Sequence, residues 1–150
     1  MRDKDFLTML ERSRQVKKEI LAWYQQEYPK ARLVNRKGYA IFCPAVGNVE
    51  IKEDRIAAES GAYVFEFEDA QGKPSGLAQT TAGEAVIVDK EYVLKLKTVS
   101  LLFLIKECEG RRIIQMGFTT KDGKRAKGYL IPRHYLLNSA YVEKAKRWFR

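Results

Sequence analysis

Two short segments, separated by only seven residues, alternate apolar and acidic side chains, and they limit what this chain can fold into. In Asn48 to Asp54, Val49 and Ile51 point one way while Glu50, Lys52 and Asp54 point the other, because successive side chains on a strand take opposite faces. In Ala62 to Glu68, Tyr63, Phe65 and Phe67 share one face, and Val64, Glu66 and Glu68 share the other. The gap between them is too short for the crossover helix of an alternating βαβ unit, which needs about a dozen residues or more.

The neighbouring segments extend the pattern. Asp3 to Tyr28 reads as a helix with Phe6, Met9, Leu10, Val16, Ile20, Leu21, Trp23 and Tyr24 near one face, ended by Pro29. Tyr39 to Cys43, bounded by Gly38 and Pro44, suits a buried strand. Asp69 to Gly76 carries Gly72, Pro74 and Gly76 and reads as a turn. Thr81 with Glu84 matches a capping box opening a short helix, followed by a strand near Val86 or over Tyr92 to Lys97. Thr98 is placed to cap an apolar helix around Leu101 to Ile105. Arg112 to Phe118 and Gly128 to Ile131 pair around a loop whose Asp122-Gly123 supplies the turn, and Ala140 to Phe149 reads as a terminal helix. The expectation is one mixed α/β domain over residues 1–150, with a mixed sheet flanked by helices and a single core.

Composition narrows the chemistry. Cys43 and Cys108 are far apart and His134 is the only histidine, too few ligands for a structural zinc site or a disulfide framework. No run of about 18 apolar residues exists to span a membrane, and the charged start does not read as a secretory signal. A soluble intracellular protein is expected, working through carboxylates, lysines, arginines and tyrosines.

The net charge of +9 favours a polyanionic partner. Residues 1–110 hold 17 Lys and Arg against 17 Asp and Glu, so the whole excess lies in residues 111–150. Lys121, Lys124, Arg125 and Lys127 fall on the expected hairpin tip, where they either reach a phosphate backbone or serve only solubility. Lys144, Lys146, Arg147 and Arg150 form the basic side of the expected terminal helix, whose Trp148-Phe149 pair is too small an apolar face for a membrane. An acidic island breaks the balance in the first part: Glu50, Glu53, Asp54, Glu59, Glu66, Glu68 and Asp69 face only Lys52 and Arg55. Such an island is either a solvated face or a divalent-cation site beside a phosphate-binding surface. Trp23, Tyr24 and Tyr28 are read as core packing rather than a stacking platform for bases, and His134 is given no role.

Glu50-Ile51-Lys52 is the sharpest local feature. Residues two apart on a strand share a face, so a carboxylate and an ammonium are presented together. Phosphodiester hydrolysis uses that pair: the carboxylate helps hold a divalent metal, and the lysine orients water or offsets charge on the phosphorane.

Val49 to Arg55, Ala57 to Gly61, Val64 to Glu66, Gly72 to Leu77 and Thr80 to Ala82 together resemble phage-type members of the PD-(D/E)XK, or restriction-endonuclease-like, nuclease superfamily. The resemblance covers residues 38–88 best. It implies an α/β core of the Holliday-junction-resolvase kind, Mg²⁺ or Mn²⁺ dependence, a DNA substrate and compatibility with a homodimer. Glu50 and Lys52 would be the acid and lysine of the signature, with Asp54 and Glu66 as further metal ligands.

One position departs from it. The superfamily places an aspartate upstream of the Glu-x-Lys, and Gly38 to Asn48 contains no acid. Three explanations stay open: Asp54 and Glu66 replace the ligand, Glu19 or Glu27 from the first helix completes the site, or the site is degenerate and only binds. A second register, led by Asp54 with Glu66-Phe67-Glu68 as the later pair, keeps the acids but loses the lysine. The expected function is a Mg-dependent endonuclease on structured or branched DNA, in the cytoplasm of a prokaryotic or phage-infected cell. The alternative is a nuclease-fold protein that binds nucleic acid or a partner without cutting.

Overall fold

Glu50 and its neighbours sit in the third strand of a six-stranded sheet. The computed structural model describes the backbone of residues 2–36, 39–54, 57–78, 80–108, 114–119, 123 and 125–146, and the side chains of these from residue 8 onward except 35, 36 and 114–119. The chain runs α1 (Arg2–Glu27), β1 (Arg32–Arg36), β2 (Tyr39–Cys43), β3 (Gly47–Glu53), α2 (Ala57–Ser60) and β4 (Ala62–Glu68). After a 3₁₀ turn at Gly76–Ala78 come β5 (Glu84–Val88), β6 (Tyr92–Lys97), α3 (Thr98–Cys108), β7 (Ile114–Thr119), β8 (Arg125–Pro132), α4 (Arg133–Leu137) and β9 (Glu143–Lys146).

The larger sheet has the order β1-β2-β3-β5-β6-β9, and the smaller β4-β8-β7. Every pairing is antiparallel except β3 with β5, which are parallel in the register Glu50↔Ala85 and Lys52↔Ile87. The mixed α/β architecture expected from the sequence is therefore present. A parallel pair needs a long crossover. Here α2, β4 and the 3₁₀ turn provide it, so β4 leaves the larger sheet and pairs with β8 in the smaller one.

The larger sheet divides the expected single core in two. On one face Val16, Ile20 and Tyr24 of α1 pack on Ile41, Cys43, Val49, Val86, Val88 and Val93. On the other, Ala85, Ile87, Leu94 and Leu96 meet Leu101, Leu104 and Ile105 of α3, Tyr63 and Phe65 of β4, Ile131 of β8 and Leu136 of α4. Each fully buried aliphatic side chain contributes about 1.5–3 kcal/mol, and β5 donates to both clusters. That explains its unbroken apolar Ala85-Val86-Ile87-Val88, the pattern of a strand covered on both faces.

Four expectations change. The capping box at Thr81 and Glu84 opens no helix: Glu84 is the first residue of β5, because the gap between β3 and β6 is filled by pairing on both sides. Thr98 does not cap α3; its hydroxyl donates to the Ala82 carbonyl at 2.7 Å. Residues 143–146 form β9 on the edge of β6 instead of a helix, since a free strand edge offers backbone hydrogen bonds to any extended segment reaching it. Lys144 and Lys146 accordingly lie on an edge strand, while Arg147 and Arg150 lie outside the described residues. Finally, β1 falls where no strand was expected, pairing with β2 to form the opposite edge.

The 3₁₀ turn is pressed against β4. Gly76 has φ +51°, and a Cβ there would run into the Glu66 carbonyl oxygen, so glycine is required both by conformation and by space. Gly76→Ala is expected to destabilise the protein by about 1–3 kcal/mol, read as a lower urea midpoint. An unchanged midpoint would show that the turn moves off β4 freely.

Candidate functional site

The parallel register aims Glu50 and Lys52 at the space between the two sheets. Their strand neighbours are Ala85 and Ile87, which belong to the cluster facing β4, whereas Val49 packs toward α1. The pair is thus held on the inner side of the larger sheet, partly buried.

Lys52 is the centre of the arrangement. Its Nζ lies 5.5 Å from the centroid of the Phe65 ring, placing β4 against β3. Burial pulls its ammonium below the ordinary lysine value, while Asp54, Glu50 and Glu66, in that order, act against the shift. All three predicted carboxylates therefore act electrostatically on one amine. Burial likewise raises the Glu50 carboxyl above the usual carboxylate value, opposed by a hydrogen bond from Thr80 and by the Lys52 charge.

The carboxylates differ in what else they do. Glu50 Oε2 accepts the Thr80 hydroxyl at 2.9 Å, and among the described residues its Oε1 accepts no hydrogen bond. Asp54 is buried: Oδ1 accepts the Ala57 N–H at 3.1 Å, the i to i+3 spacing of a helix N-cap, and Oδ2 accepts the Val64 N–H at 3.3 Å. It pins α2 and β4 onto the end of β3. Glu66 lies on the face of β4 opposite Phe65 by alternation and is the weakest of the three influences on Lys52. Among the described residues no group of three or more His, Cys, Asp and Glu side chains is assembled to hold a metal ion.

Position bears on one of the completions left open by the sequence. Glu19 and Glu27 belong to α1, across the larger sheet from Glu50, so neither joins the pair. In the second register, Glu66 and Glu68 straddle a bulge against β8, and Glu68 sits 3.7 Å from Lys127. Because β3 and β4 lie in different sheets, their acidic faces do not form one sheet surface.

The basic residues are distributed. Arg125 and Lys127 are exposed at the start of β8, and Lys144 lies on edge strand β9 with its Nζ 5.3 Å from the Tyr92 ring. Lys121, Lys124 and Arg147 lie outside the described residues. Tyr24 is buried and donates to Glu84 at 2.7 Å, with Trp23 edge-on to it, so this pair is core packing. His134 is exposed on α4.

Sequence reading missed the role of Thr80. Its signal lay in the crossover: a hydroxyl residue just before a central strand parallel to β3 ends up beside the start of β3. Among the described residues no helix is long and apolar enough to cross a membrane. No protein-family model matches the chain, and no curated protein is a significant match for it.

Proposed function

We propose that the protein is a Mg²⁺-dependent nuclease acting on structured or branched DNA, with Glu50 as metal ligand and Lys52 as the group that orients the attacking water. The observation that supports this reading is a partly buried lysine over an aromatic ring, on the same strand face as Glu50, with the charges of Asp54, Glu50 and Glu66 opposing the effect of its burial. A surface ion pair gains little, about 0–1 kcal/mol, and burying such charges costs more than it returns unless a use compensates. Depressed lysines and raised carboxyls gather where proton and phosphate chemistry is done.

Mg²⁺ keeps several waters and takes one or two carboxylates plus substrate phosphates; Glu50, whose Oε1 accepts no hydrogen bond among the described residues, would be its protein ligand, whereas both Asp54 oxygens are held by backbone amides and Glu66 lies on the far face of β4. When bound, the ion would polarise a phosphate oxygen and acidify its water. Lys52 would hold that water and offset phosphorane charge. Asp54 would keep Lys52 protonated and the turn to β4 rigid.

Labelled junction, flap and duplex DNA incubated with Mg²⁺ or Mn²⁺ tests the reading. Cutting that disappears in Glu50→Ala and in Lys52→Ala is expected; equal cutting by wild type and variants defeats it. A second reading, a binding protein without catalysis, is favoured by the engagement of both Asp54 oxygens with backbone amides. Both readings use the basic surface. Lys127→Ala and Lys144→Ala should each reduce the slope of log affinity against log salt by about one, measured by DNA retention at several salt concentrations. An unchanged slope would remove those lysines from the interface.

A further inference from the structure

We propose that the outer face of α3 is the contact surface of a homodimer, in which two copies of the chain pack their α3 helices antiparallel about a two-fold axis near Leu102 and Phe103. The proposal is independent of the chemistry assigned to Glu50 and Lys52.

The helix is apolar on two sides. Leu101, Leu104, Ile105 and Cys108 are buried beneath it, as one stripe of an amphipathic helix should be. The opposite stripe should be polar, yet Val99, Leu102 and Phe103 occupy it at the i, i+3, i+4 spacing that makes neighbours on a helix surface. They are 70%, 45% and 48% exposed, and Tyr141, 54% exposed, adds its ring edge-on to Phe103 at 5.8 Å. Four of the seven exposed large apolar side chains among the described residues thus gather on one spot. Singly scattered apolar groups are ordinary, whereas a contiguous patch marks a contact.

Area and charge select a second copy as the occupant. Those exposures leave about 400 Å² of apolar surface on four large side chains. A stable interface takes about 600–1,000 Å² from each partner, a little over half of it apolar. One patch therefore supplies the apolar centre of such an interface, and an identical patch matches it. Charges of opposite sign flank the two ends: Lys97 just before α3 and Glu107 in its last turn, both exposed. Antiparallel seating brings each lysine toward the glutamate of the other copy, twice by symmetry, and sets the helix dipoles against each other favourably. Lys106 continues the stripe, where its aliphatic stem covers apolar surface with the ammonium in water. Within the chain, β9 starts beside the α3 end of β6, with Glu143 opposite Lys95, and ends opposite Tyr92. The apolar pair Trp148-Phe149 follows from the end distant from the patch.

The experiment is sedimentation velocity on the full chain across micromolar concentrations, with folding checked by circular dichroism. The wild type is expected to sediment increasingly as a dimer. Phe103→Glu is expected to raise the dissociation constant about 30-fold or more, the effect of losing a central aromatic contact; Val99→Arg serves if that variant does not fold. Lys97→Glu and Glu107→Lys should each weaken the dimer and, combined, restore it. A wild type that stays monomeric throughout overturns the proposal, whatever else binds the face. So does a dimer of wild-type strength in Phe103→Glu or Val99→Arg, which places the contact elsewhere. Charge reversals that fail to restore each other overturn the antiparallel seating.

Discussion

Replacing Asp89 with alanine is expected to destabilise the protein by about 3–5 kcal/mol, the cost of removing one partner from a buried ion pair. The Asp89 side chain is fully buried at the turn between β5 and β6. It accepts the Tyr63 hydroxyl at 2.5 Å, Arg133 Nε at 3.1 Å, and the N–H groups of Glu91 and Tyr92 at 2.7 Å each. Tyr63 lies on β4 and Arg133 opens α4, so one carboxylate joins the larger sheet to the smaller one and to a helix. Its loss strands a buried hydroxyl and a mostly buried guanidinium in a molecule whose total stability is of order 5–15 kcal/mol.

The same carboxylate sets an acid limit. Burial pushes Asp89 upward, but Arg133, Tyr63 and the two backbone donors outweigh it, and its folded value falls below the ordinary one. A carboxylate depressed in the folded state stabilises fully above its unfolded value of about 3.9 and loses that contribution as pH falls through the folded value. Urea midpoints should therefore drop below about pH 4, and less steeply in Asp89→Asn. Parallel pH curves for the two proteins would show that Asp89 does not govern acid unfolding.

On the proposed nuclease reading, Lys52→Met is expected to reduce DNA cleavage by about 10²–10³-fold with KM little changed, because the ammonium would act on charge that develops in the transition state. Stability should move little. The methionine chain can keep the packing on Phe65, and the cost of burying a charge disappears. Glu50, already raised by burial, takes up a proton more readily once the amine is gone. Loss of rate without loss of stability separates a working lysine from a structural one. A variant that unfolds readily yet retains its rate per folded molecule would refute the assignment.

Local patterns in the sequence were dependable where a single covered face produced them. The alternation in Ala62 to Glu68 and the apolar run near Leu101 correspond to β4 and α3 because neighbours in sequence were enough to define their faces. Glu50 and Lys52 were legible for the same reason. Asp54 was legible as an acid but not in its task, since both hydrogen bonds run to backbone groups that only the turn into β4 brings near. The terminal segment misled because Glu-Lys-Ala-Lys has good helix formers, and intrinsic preference of a few tenths of a kcal/mol per residue yields to an available strand edge.

What the amino-acid order determined by itself was the period of each segment, the pairing of one acid with one amine on a strand face, and the placement of the net positive charge in the last forty residues. Tertiary structure alone decided that β4 deserts the larger sheet, that Lys52 lies over Phe65, and that Thr80 and Asp89 become anchors. The physical reason is that periodicity records which face is covered, whereas the identity of the covering partner depends on chain crossovers, and a crossover leaves no repeating mark in the sequence.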